Sequence, residues 1–294
     1  MKRVAIVCAK GFGDALLMQI SAASLRKIGY ETVTFSSHLL ELKSWFPGFA
    51  IESLGTNPTF DSFDAIFLQY DNTEIARHIR ALPKPVYILY GDYQAKKHGA
   101  FRSSMDVALD RTIPMAINIA RATSHLFSAP LSLENGLTPP PHLLFRKYPK
   151  RIILHPTSTS LEKNWPKASF FQLRDKLLQE NLDPVFIAPP HEASAWKAPR
   201  LATLADLATF LYESSCLIGN DSGPGHLASN LGLPTLIIGP SAKHLALWRP
   251  GWKTGSIAHP PKWVTEFKIT RNKWMNFVSV NKVFKIFNKI KTEI

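Results

Sequence analysis

The 294-residue sequence is poor in cysteine, in acidic residues and in long apolar runs. Its two cysteines, Cys8 and Cys216, lie far apart in apolar segments, which excludes a disulfide framework and suits a reducing compartment. No uninterrupted apolar stretch approaches the roughly 18 residues that a membrane-spanning helix requires. The apolar run Val4–Ala9 is also shorter than the hydrophobic region of a secretory signal peptide, which needs about 7–15 residues. We therefore expect a cytoplasmic protein.

The remaining composition is that of a globular protein with a basic excess. Hydrophobic residues make up 45% of the chain and aromatic residues 11%, which argues against disorder. The formal net charge is +13, and residues 262–294 alone hold 8 basic and 2 acidic side chains. Such a stretch suits nucleic acid, an anionic membrane surface or a phosphorylated small molecule, or it is a solvated surface. No nucleic-acid-binding signature accompanies it, so we expect no nucleic-acid partner.

Short apolar runs alternate with helical patterns along the chain, which predicts βαβ units around parallel sheets. The predicted strands are Val4–Ala9, Thr32–Ser36, Ala65–Gln69, Val86–Tyr90, Arg151–His155, Pro184–Ala188, Cys216–Gly219 and Thr235–Gly239. At about 100–200 residues per domain, the length predicts two domains. We place a first α/β domain at residues 1–135, a proline-rich linker at 136–150 and a second α/β domain at 151–279. Apolar residues recur at three- and four-residue spacing over 280–294, which predicts a C-terminal amphipathic helix.

The first candidate site follows the first predicted strand, at Lys10–Asp14 (KGFGD). Two glycines allow a sharp turn, and Asp14 falls at the start of a predicted helix, where it could act as a cap or accept a proton. A dinucleotide fingerprint would need glycine in place of Leu16. We therefore exclude a nicotinamide cofactor and expect no cofactor.

Two further motifs lie in the second half of the chain. The loop His155–Pro166 (HPTSTSLEKNWP) brings hydroxyl groups and Lys163 to the start of a predicted helix, which suits phosphate oxygens. The string Gly219–Ala228 (GNDSGPGHLA) places small residues at another helix start, where backbone N–H groups and the helix dipole favour a diphosphate. His226 follows one turn later and is predicted to donate a hydrogen bond to the same group.

In this order, the three segments resemble glycosyltransferase family 9, the lipopolysaccharide heptosyltransferase group. Further matching strings are LGLPT at Leu231–Thr235, GPS at Gly239–Ser241 and WRP at Trp248–Pro250. The resemblance implies the GT-B fold class: α/β, with two Rossmann-like parallel-sheet lobes facing a cleft. We also expect the C-terminal helix to pack back on the first lobe.

The resemblance also implies an inverting enzyme that needs no metal. Such an enzyme moves heptose from ADP-heptose to a lipopolysaccharide-core acceptor at the inner face of the inner membrane. By motif, Asp14 is the general base and Lys163 stabilises the diphosphate. The remaining donor-site residues are Ser158, Thr159, Glu192, Asp221, Ser222, Gly223 and His226. No metal ligands are expected. Alternatives are another nucleotide sugar, a protein acceptor, or a protein that binds a nucleotide or another anion without catalysis.

Overall fold

The computed structural model describes residues 1–55, 58–253, 255–266 and 271–291. Parts of the basic C-terminal stretch, 267–270 and 292–294, therefore lie outside the described residues. The chain divides into two compact units, Met1–Thr138 and Pro139–Ile294. The division falls inside the proline-rich stretch of the sequence, where residues 128–150 form no helix or strand.

The first unit is a six-stranded parallel sheet with flanking helices. Its strands are β1 (Arg3–Val7), β2 (Glu31–Phe35), β3 (Ala50–Glu52), β4 (Ala65–Tyr70), β5 (Val86–Tyr90) and β6 (Asp106–Ala108). Its helices are α1 (Phe12–Lys27), α2 (Ser37–Leu40), α3 (Glu74–Arg80), α4 (Ala95–His98) and α5 (Met115–Phe127), with a 3-10 turn at Lys43–Trp45. The strand order is β3-β2-β1-β4-β5-β6, so the connection direction reverses between β1 and β4.

The second unit is a five-stranded parallel sheet. Its strands are β7 (Arg151–His155), β8 (Asp183–Phe186), β9 (Cys216–Asn220), β10 (Thr235–Ile238) and β11 (Gly255–Ala258). Its helices are α6 (Lys167–Gln179), α7 (Ala193–Trp196), α8 (Leu204–Tyr212), α9 (Gly223–Asn230), α10 (Ala242–Trp248), α11 (Lys262–Glu266) and α12 (Val280–Ile290). Two 3-10 turns lie at Leu161–Lys163 and Arg271–Phe277. In the order β11-β10-β9-β7-β8, the direction reverses between β7 and β9.

The central strands of both sheets are buried on their two faces, which is why these strands are mainly apolar. All six residues of β4 and all five of β7 are buried. Ligands of open α/β sheets bind beyond the carboxyl ends of the strands where the strand order reverses. Functional residues are therefore expected at these reversal points, β1/β4 and β7/β9.

The C-terminal helix α12 packs on its own unit, which corrects the expectation that it packs on the first lobe. Val283, Phe287 and Ile290 belong to the core that includes Ile152 and Leu236. The Trp165 indole donates a hydrogen bond to the Val278 carbonyl at 2.7 Å, which holds the segment before α12 against the loop after β7. The apolar side of α12 is thus buried in the core of the second unit.

Candidate functional site

The first candidate site lies at the β1/β4 reversal point. After β1 the chain turns through residues 8–11, and Asp14 occupies the first turn of α1. Gly11 adopts an extended conformation at the N-cap without a side-chain cap bond. A Cβ on Gly11 would lie 2.3 Å from Asp14 Oδ2, so the carboxylate lies directly over this glycine. A residue with a side chain at position 11 would displace the carboxylate.

The opposite side of the Asp14 carboxylate is held by Gln69, at the carboxyl end of β4. The Gln69 amide Nε2 donates to Asp14 Oδ1 at 2.6 Å. The Gln69 Oε1 accepts the backbone N–H of Ala9 at 3.2 Å. Gln69 is buried, whereas Asp14 is half-buried. A carboxylate held at the carboxyl edge of the sheet suits proton abstraction from a substrate hydroxyl.

The second candidate site lies at the β7/β9 reversal point and is centred on the buried Asp221. Asp221 Oδ2 is 3.3 Å from Lys163 Nζ and 2.7 Å from His244 Nε2. Burial alone would raise the pKa of Asp221, but the hydrogen bond from His244 and the positive charge of Lys163 outweigh it and lower that pKa. Asp221 is therefore an ionised carboxylate that holds a lysine and a histidine at one end of the sheet.

Asn220 fixes the loop that carries Lys163. This fully buried residue accepts the Trp165 N–H at 3.0 Å, and its Nδ2 donates to the Pro156 carbonyl at 2.6 Å. Within the loop, Ser158 Oγ lies 2.9 Å from the Ser160 carbonyl and 2.7 Å from Asn164 Oδ1. These bonds tie the β7–α6 loop to the end of β9, and so they determine where Lys163 meets Asp221.

The turn into α9 follows directly after Asp221. Ser222 is the N-cap in an extended conformation, and its hydroxyl donates to the Asn220 carbonyl at 3.1 Å instead of capping the helix. Gly223 is the first helical residue. A Cβ on Gly225 would lie 2.8 Å from Ile237 Cδ1, so the helix start packs closely on β10. The helix dipole adds positive potential at this turn.

His226 is buried one turn into α9, and its Nδ1 has no hydrogen-bond partner among the described residues. Burial lowers the pKa of His226, Asp221 opposes this effect, and Lys163 adds to it. The ring is therefore neutral at pH 7. A buried, unpartnered ring nitrogen is costly, and a hydrogen bond to a bound ligand would remove that cost.

The predicted donor-site residues are only partly brought together. Lys163, Asp221, Ser222, Gly223 and His226 lie at one reversal point, with Ser158 in the same loop as Lys163. Thr159, also in that loop, is exposed. Glu192 precedes α7 on the β8 side, where its Oε1 is 3.6 Å from His191 Nε2. In the described part of the chain, the Glu192 side chain makes no hydrogen bond to the cluster around Asp221.

His244 belongs to this cluster, and the sequence analysis missed it. It lies in the first turn of α10, where its backbone N–H is capped by Ser241 Oγ at 3.1 Å. The strand order explains its position: Ser241 follows β10, and β10 neighbours β9, which is followed by Asp221. The carboxyl ends of neighbouring parallel strands meet at one edge of a sheet, so a histidine after β10 can reach a carboxylate after β9.

His155, the last residue of β7, gives the second unit a pH-dependent stability. Burial lowers the pKa of His155 to about 4, against the hydrogen bond of its Nδ1 to the Ile187 carbonyl. His155 therefore binds a proton near pH 6.5 in the unfolded chain but only near pH 4 in the folded chain. The free energy of unfolding consequently falls as the pH drops from about 6.5 to about 4. From pH 7.5 to pH 5 we expect His155 to account for a loss of about 2 kcal/mol.

Urea unfolding at the two pH values measures this loss. The His155→Gln variant keeps a polar side chain of similar size without a titrating group, and we expect it to lose about 2 kcal/mol less than the parent protein. An equal loss in both proteins would show that His155 is not the group responsible.

Within the described ranges, no three His, Cys, Asp or Glu side chains are grouped so that they could hold a metal ion. None of the helices in those ranges is both long and apolar enough to cross a membrane.

A family model and known structures bear on this arrangement. The model of glycosyltransferase family 9 (heptosyltransferase) matches residues 131–242, which include both the Lys163 loop and the Ser222–His226 turn. The match confirms the resemblance inferred from the sequence and supports a glycosyltransferase. No curated protein sequence matches the chain.

Solved structures of the same fold cover nearly the whole chain. A family 9 glycosyl transferase from Veillonella parvula superposes with a TM-score of 0.72 at 18% identity, covering 100% of this chain and 98% of that one. The ADP-heptose lps heptosyltransferase II of E. coli gives a TM-score of 0.70 at 14% identity, covering 100% and 99%. The E. coli heptosyltransferase WaaC with ADP gives 0.68 at 11% identity, covering 98% and 99%. These likenesses confirm the predicted fold class of two parallel-sheet α/β units.

Proposed function

We propose, on the premise that this chain is a glycosyltransferase similar to family 9, that it moves heptose from ADP-heptose to a lipopolysaccharide-core acceptor. The proposal includes inversion at the anomeric carbon and independence of metal. The observation that carries it is the Lys163–Asp221–His244 cluster, which lies beside the α9 N-terminus at the β7/β9 reversal point. The similar E. coli structures support the choice of donor, since one is described with ADP and another as an ADP-heptose enzyme.

On the donor side, the diphosphate binds at the Ser222–Gly223 turn. Lys163 Nζ, held near the turn by Asp221, supplies a positive charge. His226 offers a buried imidazole for a hydrogen bond. As the bond from the anomeric carbon to the diphosphate oxygen breaks, its electron pair passes to the diphosphate, and Lys163 and the helix N-terminus stabilise the growing charge. Ser158, Thr159 and Glu192 are assigned to the rest of the nucleotide sugar.

On the acceptor side, Asp14 accepts the proton of the attacking hydroxyl. The acceptor oxygen forms a bond to the anomeric carbon on the face opposite the diphosphate, and its O–H bond breaks toward Asp14. The first turn of α1 and the Gln69 amide favour the ionised carboxylate that a base requires. The proposal requires both sites to act on one ternary complex.

A substrate panel tests this function. The protein is incubated with ADP-heptose, a UDP-sugar or a GDP-sugar, each with a heptose-free lipopolysaccharide acceptor, and the products are analysed by mass spectrometry and NMR. We expect transfer from ADP-heptose with inverted configuration, unaffected by EDTA. Transfer from another nucleotide sugar, or to a protein acceptor, would show that the proposed donor or acceptor is wrong. Nucleotide binding without transfer from any donor would favour a non-catalytic protein.

We further propose that the enzyme works in the cytoplasm and that its basic C-terminal stretch has an electrostatic role at the anionic inner face of the inner membrane. Lys285 and Lys289 of α12 are exposed, whereas the apolar side of this helix is buried. Binding therefore depends on charge and not on insertion into lipid. Each lysine near such a surface contributes about 1 kcal/mol at physiological salt.

Co-sedimentation with phosphatidylglycerol vesicles measures this attraction. We expect the double variant Lys285→Gln, Lys289→Gln to bind roughly 30-fold more weakly, which corresponds to about 2 kcal/mol for two lysines, and added salt to weaken the parent protein. The double variant Lys96→Gln, Lys97→Gln on α4 removes the same charge from exposed positions of the first unit and serves as the control. Equal losses in both variants, or indifference to salt, would contradict a directed role for α12.

A further inference from the structure

The geometry points to Gln69 as a positioning residue that holds the Asp14 carboxylate in the orientation for proton abstraction. This inference rests on the proposed role of Asp14 as the base, and it adds a residue from a second strand to that site. Gln69 is the penultimate residue of β4, Asp14 follows β1, and these two strands are neighbours at the reversal point of the first sheet.

The orientation of the Gln69 amide is determined by its two hydrogen bonds. The Ala9 N–H can only donate, so the atom that it meets at 3.2 Å must be the amide oxygen. The amide nitrogen therefore faces Asp14 Oδ1, 2.6 Å away, and donates to it. The Gln69 side chain is thus bonded to the backbone through its oxygen and to the carboxylate through its nitrogen. These two bonds limit the rotation of the Asp14 carboxylate relative to the sheet.

The burial of Gln69 supports a specific role. The other residues of β4 are Ala, Ile, Phe, Leu and Tyr, and all of them are buried. A buried amide in such a strand is costly unless its polar atoms are bonded. Both polar ends of Gln69 are bonded, one of them to a half-buried acid at the edge of the sheet.

Gln69 and Gly11 together restrict the carboxylate from two sides. Gln69 engages Oδ1, while Oδ2 lies over Gly11 with no room for a Cβ between them. The half-buried thiol of Cys8 also lies within the electrostatic range of Asp14. Burial and the Asp14 charge raise the pKa of Cys8, so the thiol stays neutral and adds no charge to the site. The neighbouring loops carry further charged or titratable groups. Lys10 follows β1, and its carbonyl lies 3.1 Å from His38 Nε2. Asp71 follows β4 and accepts hydrogen bonds from the Thr73 backbone N–H and hydroxyl.

Two substitutions test the inference by steady-state kinetics with ADP-heptose and a heptose-free lipopolysaccharide acceptor. In Gln69→Leu the Asp14 carboxylate loses the hydrogen bond to its Oδ1. We expect kcat to fall about 100-fold, because misplacement of a catalytic group acts on the chemical step. The donor KM is expected to stay within about twofold of the parent value. In Gln69→Glu the new carboxylate lies within hydrogen-bonding distance of the Asp14 carboxylate. The two groups cannot both ionise readily, because their negative charges repel each other. We expect the acid limb of its pH–rate profile to move to higher pH, with activity recovering as pH rises.

Gln19 provides a matched control. It is a fully buried glutamine on the same helix as Asp14, and it accepts a hydrogen bond from Thr34. Gln19→Leu removes an equivalent buried amide from the same unit, and we expect the acid limb of its pH–rate profile to stay where the parent has it. Circular dichroism and thermal midpoints establish that each variant is folded.

A titration that does not depend on turnover separates this inference from the proposed function. With 13C-labelled aspartate, the Asp14 carboxyl signal is identified by its loss in Asp14→Asn, and its titration midpoint is followed by NMR. We expect that midpoint to rise in both Gln69 variants and not in Gln19→Leu. An unchanged midpoint and an unchanged rate in the Gln69 variants would overturn the positioning role, even if Asp14→Asn is inactive. If Asp14→Asn keeps the parent rate, the assignment of the base fails instead.

Discussion

The Asp14→Asn variant is expected to lose transfer activity while its affinity for the nucleotide sugar is kept. The amide has nearly the shape of the carboxylate and cannot accept the proton of the acceptor hydroxyl. Loss of a general base costs about 100- to 10,000-fold in rate. Donor binding is expected to survive because the residues proposed to hold the diphosphate belong to the second unit. Initial rates and calorimetric titration with ADP-heptose measure the two quantities separately.

Glu74→Gln is the matched control for this experiment. Glu74 is an exposed acid in the first turn of α3, which follows β4 in the same sheet. The substitution removes one negative charge from a helix N-terminus, and it leaves the Asp14 site unchanged. We expect near-parental activity. A parental rate in Asp14→Asn would show that Asp14 is not the base. An equal loss of rate in Asp14→Asn and Glu74→Gln would show that the loss comes from reduced helix stability.

The Lys163→Met variant is expected to weaken both nucleotide-sugar binding and turnover. Methionine keeps much of the apolar stem and removes the charge that lies 3.3 Å from Asp221. The ammonium group acts on the bound diphosphate and more strongly on the charge that develops as the bond breaks. Removal of one such donor costs about 100–1000-fold in kcat. Calorimetry with ADP and single-turnover rates report the two effects.

Two features make this experiment decisive. Asp221 keeps its bond to His244 in the variant, which limits the disturbance of the fold. The exposed Lys243 lies beside His244 on α10, and Lys243→Met removes the same charge from a neighbouring position. We expect Lys243→Met to behave as the parent protein. Unchanged ADP affinity and unchanged kcat in Lys163→Met would exclude Lys163 from the diphosphate site.

The parallel architecture could be predicted because its signals are local. The run Val86–Tyr90 contains only residues that suit a strand buried on both faces, and Arg151–His155 has the apolar centre Ile152–Leu154. Both runs form strands with these bounds. The short edge strands β3, β6 and β11 escaped prediction. Each has only three or four residues, and an edge strand depends on its neighbour more than on its own composition.

The candidate sites were predictable only where one segment carried the whole signal. Asp14 and the Asp221–His226 string lie at strand-to-helix junctions that are visible in the sequence. Gln69 and His244 were not found, because each acts on a residue from a different strand. Their partners, 55 and 23 positions away, are brought near only by strand order.

Crystals of the protein soaked separately with ADP, UDP and GDP test the central claim most directly. The account predicts ADP at the carboxyl end of β7 and β9, with its diphosphate against the Ser222–Gly223 backbone and within hydrogen-bonding distance of Lys163 and His226. A nucleotide bound away from this turn, or no nucleotide bound at millimolar concentration, would contradict the account.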